Sequence, residues 1–169
     1  MLLNYPDFRA YERAYQLMAQ VSGRAGRKNN QGIVVLQTNE PTHQVISQVK
    51  ANAYKEMFDS QMEERRLFRY PPFSRLTYIY VKGRDFATVK RAADYFSVCL
   101  RSVFADRVYG PDQPVVGRVQ NQFIFKVMLK VELAVKPDQV RELLKKVSDH
   151  LLSQPEYKSI VLYSDVDPM

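Results

Sequence analysis

Two arginines, two glycines and a glutamine stand close together in Gln20-Val21-Ser22-Gly23-Arg24-Ala25-Gly26-Arg27, a Q-x-x-G-R-x-G-R run. Steps of four and seven residues place Gln20, Arg24 and Arg27 on one face of a helix. A guanidinium is a planar fork of donors matched to phosphate oxygens, so two of them about one turn apart can hold a terminal phosphate from two sides. Gly23 and Gly26 remove the side chains that would keep the backbone away from that phosphate. An ordinary helix C-terminus, with Gly and Arg capping the last carbonyls, accounts for one glycine and one cation. It leaves the repeated Gly-Arg pair and Gln20 unexplained.

The element that must present this run is a helix over residues 8–25. Tyr11, Ala14, Leu17, Met18 and Val21 recur at three- and four-residue steps, and Asp7, after Pro6, is placed to be its N-cap. Residues 28–32 are turn-like, and Ile33-Val34-Val35-Leu36-Gln37 is a β-branched apolar run of the kind found in a buried strand. From Pro41 a helical stretch, with Thr38 or Asn39 near its start, runs to Arg69 through Val45, Ile46, Val49, Ala53, Met57, Phe58 and Met62. At roughly 28 residues it exceeds an average globular helix and reads as a connector, whole or broken. Tyr70-Pro71-Pro72 ends it, because proline disfavours helix at the residue before. Its charged end, Glu63-Glu64-Arg65-Arg66, has the composition of a solvated face.

Beyond Pro72 the pattern becomes strand, helix, hairpin, helix, strand. Residues 74–81 are rich in β-formers, and Asp85 can cap a helix carrying Val89, Ala92, Ala93, Phe96, Cys99, Leu100, Val103 and Phe104. Residues 115–119 and 123–133 flank Gln120-Asn121-Gln122 as a hairpin. In the second arm Phe123, Phe125, Val127, Leu129, Val131 and Leu133 point one way and Lys126, Lys130 and Glu132 the other. Pro137 opens a helix with Val140, Leu143, Leu144, Val147 and Leu151 on its stripe, and residues 160–163 form a last apolar run. The order β-α-β-β-α-β predicts a ferredoxin-like domain, two helices on one face of an antiparallel sheet. If the odd positions of 123–133 meet the helices, Lys126 and Lys130 stand on the outer face and Arg118 can join them. Such a face binds single strands when aromatics stand beside the cations; Tyr78 and Tyr80, or Ile79 on the alternate face, leave the aromatic share open.

Composition bounds the rest. The 169 residues suffice for one domain plus a fragment of another, and 25 basic against 18 acidic residues give +7, which favours polyanionic partners. The excess is spread over both halves, so no single arm carries it. No tract of about 18 apolar residues occurs, so a soluble cytoplasmic protein without a membrane partner is expected. Cys99 alone forms neither an internal disulfide nor a zinc cluster, so no metal site is expected. His43 and His150 lack partners at metal or triad spacing and read as capping or surface residues. Asp165-Val166-Asp167 lacks an EF-hand pattern and makes a weak cation site. No G-x-x-x-x-G-K-[ST] occurs.

The Gln20–Arg27 run resembles motif VI of superfamily two helicases. Asn4-Tyr5-Pro6-Asp7-Phe8-Arg9-Ala10, Glu12-Arg13, Gln16-Leu17, Glu63-Glu64-Arg65-Arg66, Tyr70-Pro71-Pro72-Phe73, Gly110-Pro111 and Asp165-Val166-Asp167-Pro168 follow in an order that narrows it. Together they resemble the C-terminal portion of the primosomal protein N′ family, bacterial replication-restart DNA helicases. The resemblance implies residues 1–40 as the end of a RecA-like helicase lobe, 41–72 as a connector helix and 73–169 as a ferredoxin-like C-terminal domain. It implies a 3′-5′ helicase in which Arg27, with Arg24, acts as an arginine finger on the ATP γ-phosphate, Gln20 supports them, and Gly23 and Gly26 line the nucleotide. ATP, Mg²⁺ and a zinc-binding cysteine-rich insert would be held by other parts of such an enzyme, so the fragment alone should not hydrolyse ATP. Implied partners are branched and single-stranded DNA, the acidic tail of single-stranded DNA-binding protein and other primosome proteins. Arg118, Lys126, Arg141, Lys145 and Lys146 are then candidates for an anionic partner. The rival reading is a free-standing nucleic-acid-binding ferredoxin-like module, which has no use for a Q-x-x-G-R-x-G-R run.

Overall fold

A computed structural model describes residues 7–25 and 32–168. Among them, five α-helices and five β-strands fall into two compact units divided between Phe68 and Arg69. The first holds α1 (Ala10–Arg24), α2 (Gln44–Lys50) and α3 (Tyr54–Leu67). Asp7 acts two residues ahead of the N-cap position, which is Arg9: its carboxylate accepts the Arg9 amide at 2.9 Å and pairs with Arg13 at 3.0 Å. The three helices meet on Ala14, Tyr15, Val45 and Met57, with Tyr11, Met18 and Val49 around them. Leu17 and Val21, expected on the buried stripe, lie beside it at 51% and 56% exposure, because the partner helices cover only the Tyr11, Ala14, Tyr15, Met18 side.

The connector stretch, read as whole or broken, is broken into two helices. Asn52 adopts φ 52°, the Asn52 amide donates to the Val49 carbonyl and the Ala53 amide to the Gln48 carbonyl at 2.8 Å, the pairing of a Schellman stop. α2 starts at neither Thr38 nor Asn39: His43 is its N-cap, Nδ1 accepting the Val45 amide at 3.2 Å. Arg65 departs from its solvated neighbours, turning back to Glu12 at 2.5 Å and over the Phe8 ring at 5.0 Å. The strand expected at residues 33–37 is absent; Ile33 and Val35 are 90% and 83% exposed. A buried strand needs ladder partners, and no described residue pairs with this segment.

The second unit runs β1 (Ser74–Gly83), α4 (Phe86–Phe104), β2 (Val108–Asp112), β3 (Arg118–Val119), β4 (Gln122–Glu132), α5 (Pro137–Ser153), β5 (Val161–Val166). The strands form one antiparallel sheet in the order β2-β4-β1-β5, with β3 paired to the start of β4. Each element follows from local chemistry. The Asp85 carboxylate accepts the Thr88 amide at 2.8 Å to start α4. Pro137 fits the first turn of α5. Gln120 and Asn121, both with positive φ, make the two-residue β3–β4 turn.

Ile79 and Val81 from β1 and Val127 and Leu129 from β4 pack on Val89, Phe96 and Leu100 of α4 and on Val147 and Leu151 of α5. Both helices therefore lie on one face. The strand preceding the β4 arm differs from expectation. Residues 115–117 are outside any strand, with Val115 and Val116 exposed, and β2 pairs with β4 instead. Gly110, at φ +90°, breaks the register of β2 between Tyr109 and Asp112 and gives the stretch the look of a turn. An added Cβ there would stand 2.9 Å from the Lys126 carbonyl oxygen, so glycine is required. The last strand begins at Val161, and Ile160 joins the core.

Candidate nucleic-acid interface

In the first unit, Gln20, Gly23 and Arg24 occupy the exposed last turns of α1. A Cβ at Gly23 would meet nothing within 4 Å, so the surface over that glycine is open. Gly26 and Arg27 lie outside the described residues. The flanking charges position the helix: Asp7 holds Arg13, and Arg65 of α3 holds Glu12.

In the second unit the side of the sheet away from the helices is set by register. Tyr80 lies opposite Lys126 on β4 and opposite Tyr163 on β5; Tyr78 lies opposite Met128 and Asp165. Side chains of facing residues emerge on the same side, and Ile79 and Val81 are in the core. The question left open by the alternation of β1 is thus answered: the tyrosines share the face with the lysines. The Tyr80 and Tyr163 rings stack at 4.8 Å with a 16° interplanar angle, and Tyr78 meets Tyr80 edge-on at 6.3 Å. Lys82 Nζ lies 4.4 Å from the Tyr163 ring centre and Lys126 Nζ 4.4 Å from that of Tyr78. Three carboxylates share this face: Asp112 opposite Lys126 and Asp165 opposite Tyr78 on the outer strands, and Glu132, paired with Arg107, at the end of β4. Flat aromatic surface with ammonium groups at its side is suited to stacking bases while neutralising the phosphates between them.

Lys130 is on this face but not at its surface. It is 6% exposed, with Nζ 3.5 Å from the Tyr70 ring centre and 4.9 Å from that of Tyr109. Burial, and after it the charge of Arg69, push its pKa down to about 8. The solvent-facing role expected for Lys130 is therefore corrected: rings from Tyr70 and β2, elements remote in sequence, cover it. A lysine depressed when folded but near its ordinary value of about 10.4 when unfolded lets the unfolded chain hold the extra proton between those values. Stability is expected to rise from about pH 8 to pH 10, by at most about 3 kcal/mol. Denaturant titrations across that range on the parent and on Lys130→Met check this; an equal rise in both would show that Lys130 is not its source.

Arg118 does not join Lys126 either. It faces Phe123 in register, its guanidinium 4.8 Å from that ring centre, and it hydrogen-bonds Asn121. Phe123 packs against the core, so Arg118 stands on the helix side. Arg141, Lys145 and Lys146 are exposed on α5, Arg141 near Asp138 at 3.4 Å and Lys146 on Glu142 at 2.8 Å. The six predicted cations therefore form no single patch, because α5 packs on the opposite side of the sheet from Lys126. Reasoning from sequence missed Lys82 and Tyr163. The period of two in β1 carries the signal for Lys82, whereas Tyr163 needed the β1–β5 register.

The remaining candidates have local roles. His150 Nε2 lies 3.0 Å from the Tyr95 hydroxyl, and Cys99 is half-buried beside the core. Asp167 donates its amide to the Leu76 carbonyl at 2.7 Å and accepts the Leu76 amide on its carboxylate at 3.1 Å. Among the described residues no group of His, Cys, Asp and Glu could hold a metal ion, and no helix is long and apolar enough to cross a membrane.

The family profile described as primosomal protein N C-terminal domain matches residues 66–169. The chain is 31% identical over 168 residues to replication restart protein PriA of Bacillus subtilis, covering 98% of this chain and 20% of that protein. It is 29% identical over 170 residues to the PriA of Synechocystis, covering 99% of this chain and 20% of that protein. Against the PriA of Haemophilus influenzae it is 32% identical over 167 residues, covering 96% and 22%. The chain thus spans about a fifth of the length of these relatives. With the profile covering more than half of its residues and the similarity running along nearly all of it, the chain belongs to the primosomal protein N C-terminal domain family.

Proposed function

We propose that the chain works as the C-terminal part of an ATP-dependent 3′-5′ DNA helicase of replication restart, and that its second unit presents a single-stranded DNA interface. In this reading residues 1–40 close a RecA-like lobe and Arg24 and Arg27 complete an ATP site built with Mg²⁺ by other parts of the enzyme. A zinc-binding insert likewise lies elsewhere in the enzyme. The second unit is then a ferredoxin-like domain, a reading supported by its β-α-β-β-α-β core order and by the strand order β2-β4-β1-β5. Its partners are single-stranded and branched DNA, single-stranded DNA-binding protein and other primosome proteins.

The observation that carries the interface is the stacked Tyr80–Tyr163 pair, with Tyr78 beside it and Lys82 and Lys126 against the rings. Each phosphate neutralised on a single strand contributes about −0.7 to the slope of log affinity against log salt. Lys82→Glu/Lys126→Glu is expected to weaken binding of a thymidine oligonucleotide and to flatten that slope by about 1.4, read by fluorescence anisotropy across a salt series. Lys130, being covered, should contribute little to the slope. An unchanged slope would make this face a packing surface and remove the proposal.

A further inference from the structure

On the helix side of the sheet, near one end of α5, the second unit carries a half-open cavity of about 450 Å³, with Arg141, Lys145, Ser164 and Val166 at its exposed rim. Its origin is legible in the side chains. In mid-sheet Ile79, Val81 and Leu129 fill the space under α4. Toward this end the sheet offers Thr77 and Ser164 and α5 offers Ser148, all short, where a filled core would need long side chains. Val131, Val140, Leu144 and Val166 leave the walls apolar. This volume lies within the range of small-molecule clefts, about 300–1,000 Å³.

The polar lining has one sign. Arg75, Arg141 and Lys145 border the cavity and no carboxylate does. Arg75 is fixed in place, its Nη1 donating to the Val135 carbonyl at 2.7 Å. Arg141 has only an exposed contact with Asp138 at 3.4 Å, and Lys145 makes no ion pair among the described residues. An apolar, half-open cleft bordered by three cations is complementary to a molecule with a hydrocarbon body and one anionic head. Arginine favours a planar carboxylate, which it can meet with two parallel hydrogen bonds.

We propose that this cavity is a binding site for a small amphipathic carboxylate, its apolar body between α5 and the sheet and its head at Arg75, Arg141 and Lys145. The site is on the other side of the sheet from the tyrosines and stands independently of the DNA reading.

The test is a titration of the full chain with decanoate, followed by amide chemical shifts, with decyltrimethylammonium and decanol as head-group controls. Decanoate is expected to saturate, with shifts confined to the segments around Val131, residues 140–148 and residues 164–166. The cationic amphiphile should not saturate, and decanol should bind more weakly than decanoate. Arg141→Glu/Lys145→Glu, at exposed positions, should weaken decanoate at least tenfold. Equal binding of the two charged heads, shifts scattered over the surface, no saturation below the micellar range, or unchanged affinity in the charge-reversed variant would each overturn the proposal. The head-group comparison on the unaltered chain decides the matter even if the variant folds poorly.

Discussion

Arg27→Ala in the full-length protein is expected to abolish DNA-dependent ATP hydrolysis, a fall on the order of 10³-fold or more, with DNA affinity largely retained. The reason lies in what an arginine finger does. Charge spreads over the oxygens of the transferring phosphoryl group, and a guanidinium fixed against them is worth more in that state than in the ground state. Lysine carries the charge without the fork, so Arg27→Lys should recover little. Arg24, one helical turn from Gln20 on the exposed end of α1, should give a similar loss if both guanidiniums share the phosphate. The 169-residue chain by itself, with no P-loop sequence, is expected to release no phosphate from ATP. Steady-state phosphate release and oligonucleotide anisotropy on the same preparations separate turnover from binding. Turnover surviving in Arg27→Ala would remove the assignment of the Gln20–Arg27 run, whatever the second unit does.

The second large effect concerns the sheet. Tyr80→Ala/Tyr163→Ala should lower single-stranded DNA affinity by roughly ten- to a hundredfold, since stacking one base on an aromatic ring contributes about 1–3 kcal/mol. The rings belong to the face turned from the core cluster, so the fold should persist, and circular dichroism can confirm it. Phenylalanine at both positions keeps the flat surface and should keep most of the affinity. A phenylalanine pair as weak as the alanine pair would show that the hydroxyls, not the rings, do the binding. No change in either would leave the tyrosines a structural pair only.

How much of this was legible in the sequence depended on how local each determinant is. The stripe from Val89 to Leu100, the Asp85 cap and the inward set Phe125, Val127, Leu129 and Val131 are written within a few residues of where they act, and all appear in the structure. The break at Asn52 was harder to read because the apolar spacing continues through it, and only an asparagine tolerating positive φ marks the stop. The run at residues 33–37 has strand composition without strand partners among the described residues. β2 was hidden by Gly110-Pro111, which resembles a turn although the residues on either side of it pair with β4. Lys130 had the periodicity of an outward lysine; its burial comes from Tyr70 and Tyr109, which no window around residue 130 contains. The cations on α5 and Lys126 looked like one group on a list and are separated by the thickness of the sheet.

The register of β1 makes adjacent codons answer to unrelated demands. Ile79 is locked among hydrocarbon neighbours, whereas Tyr80, one peptide away, meets whatever lies across the open side. Drift at the first would show up as poorer yield or a lower melting point, and drift at the second, under the proposed interface, as altered preference for a nucleic acid strand. At these two positions the strand can therefore vary on its open side without reopening the question of whether the domain folds.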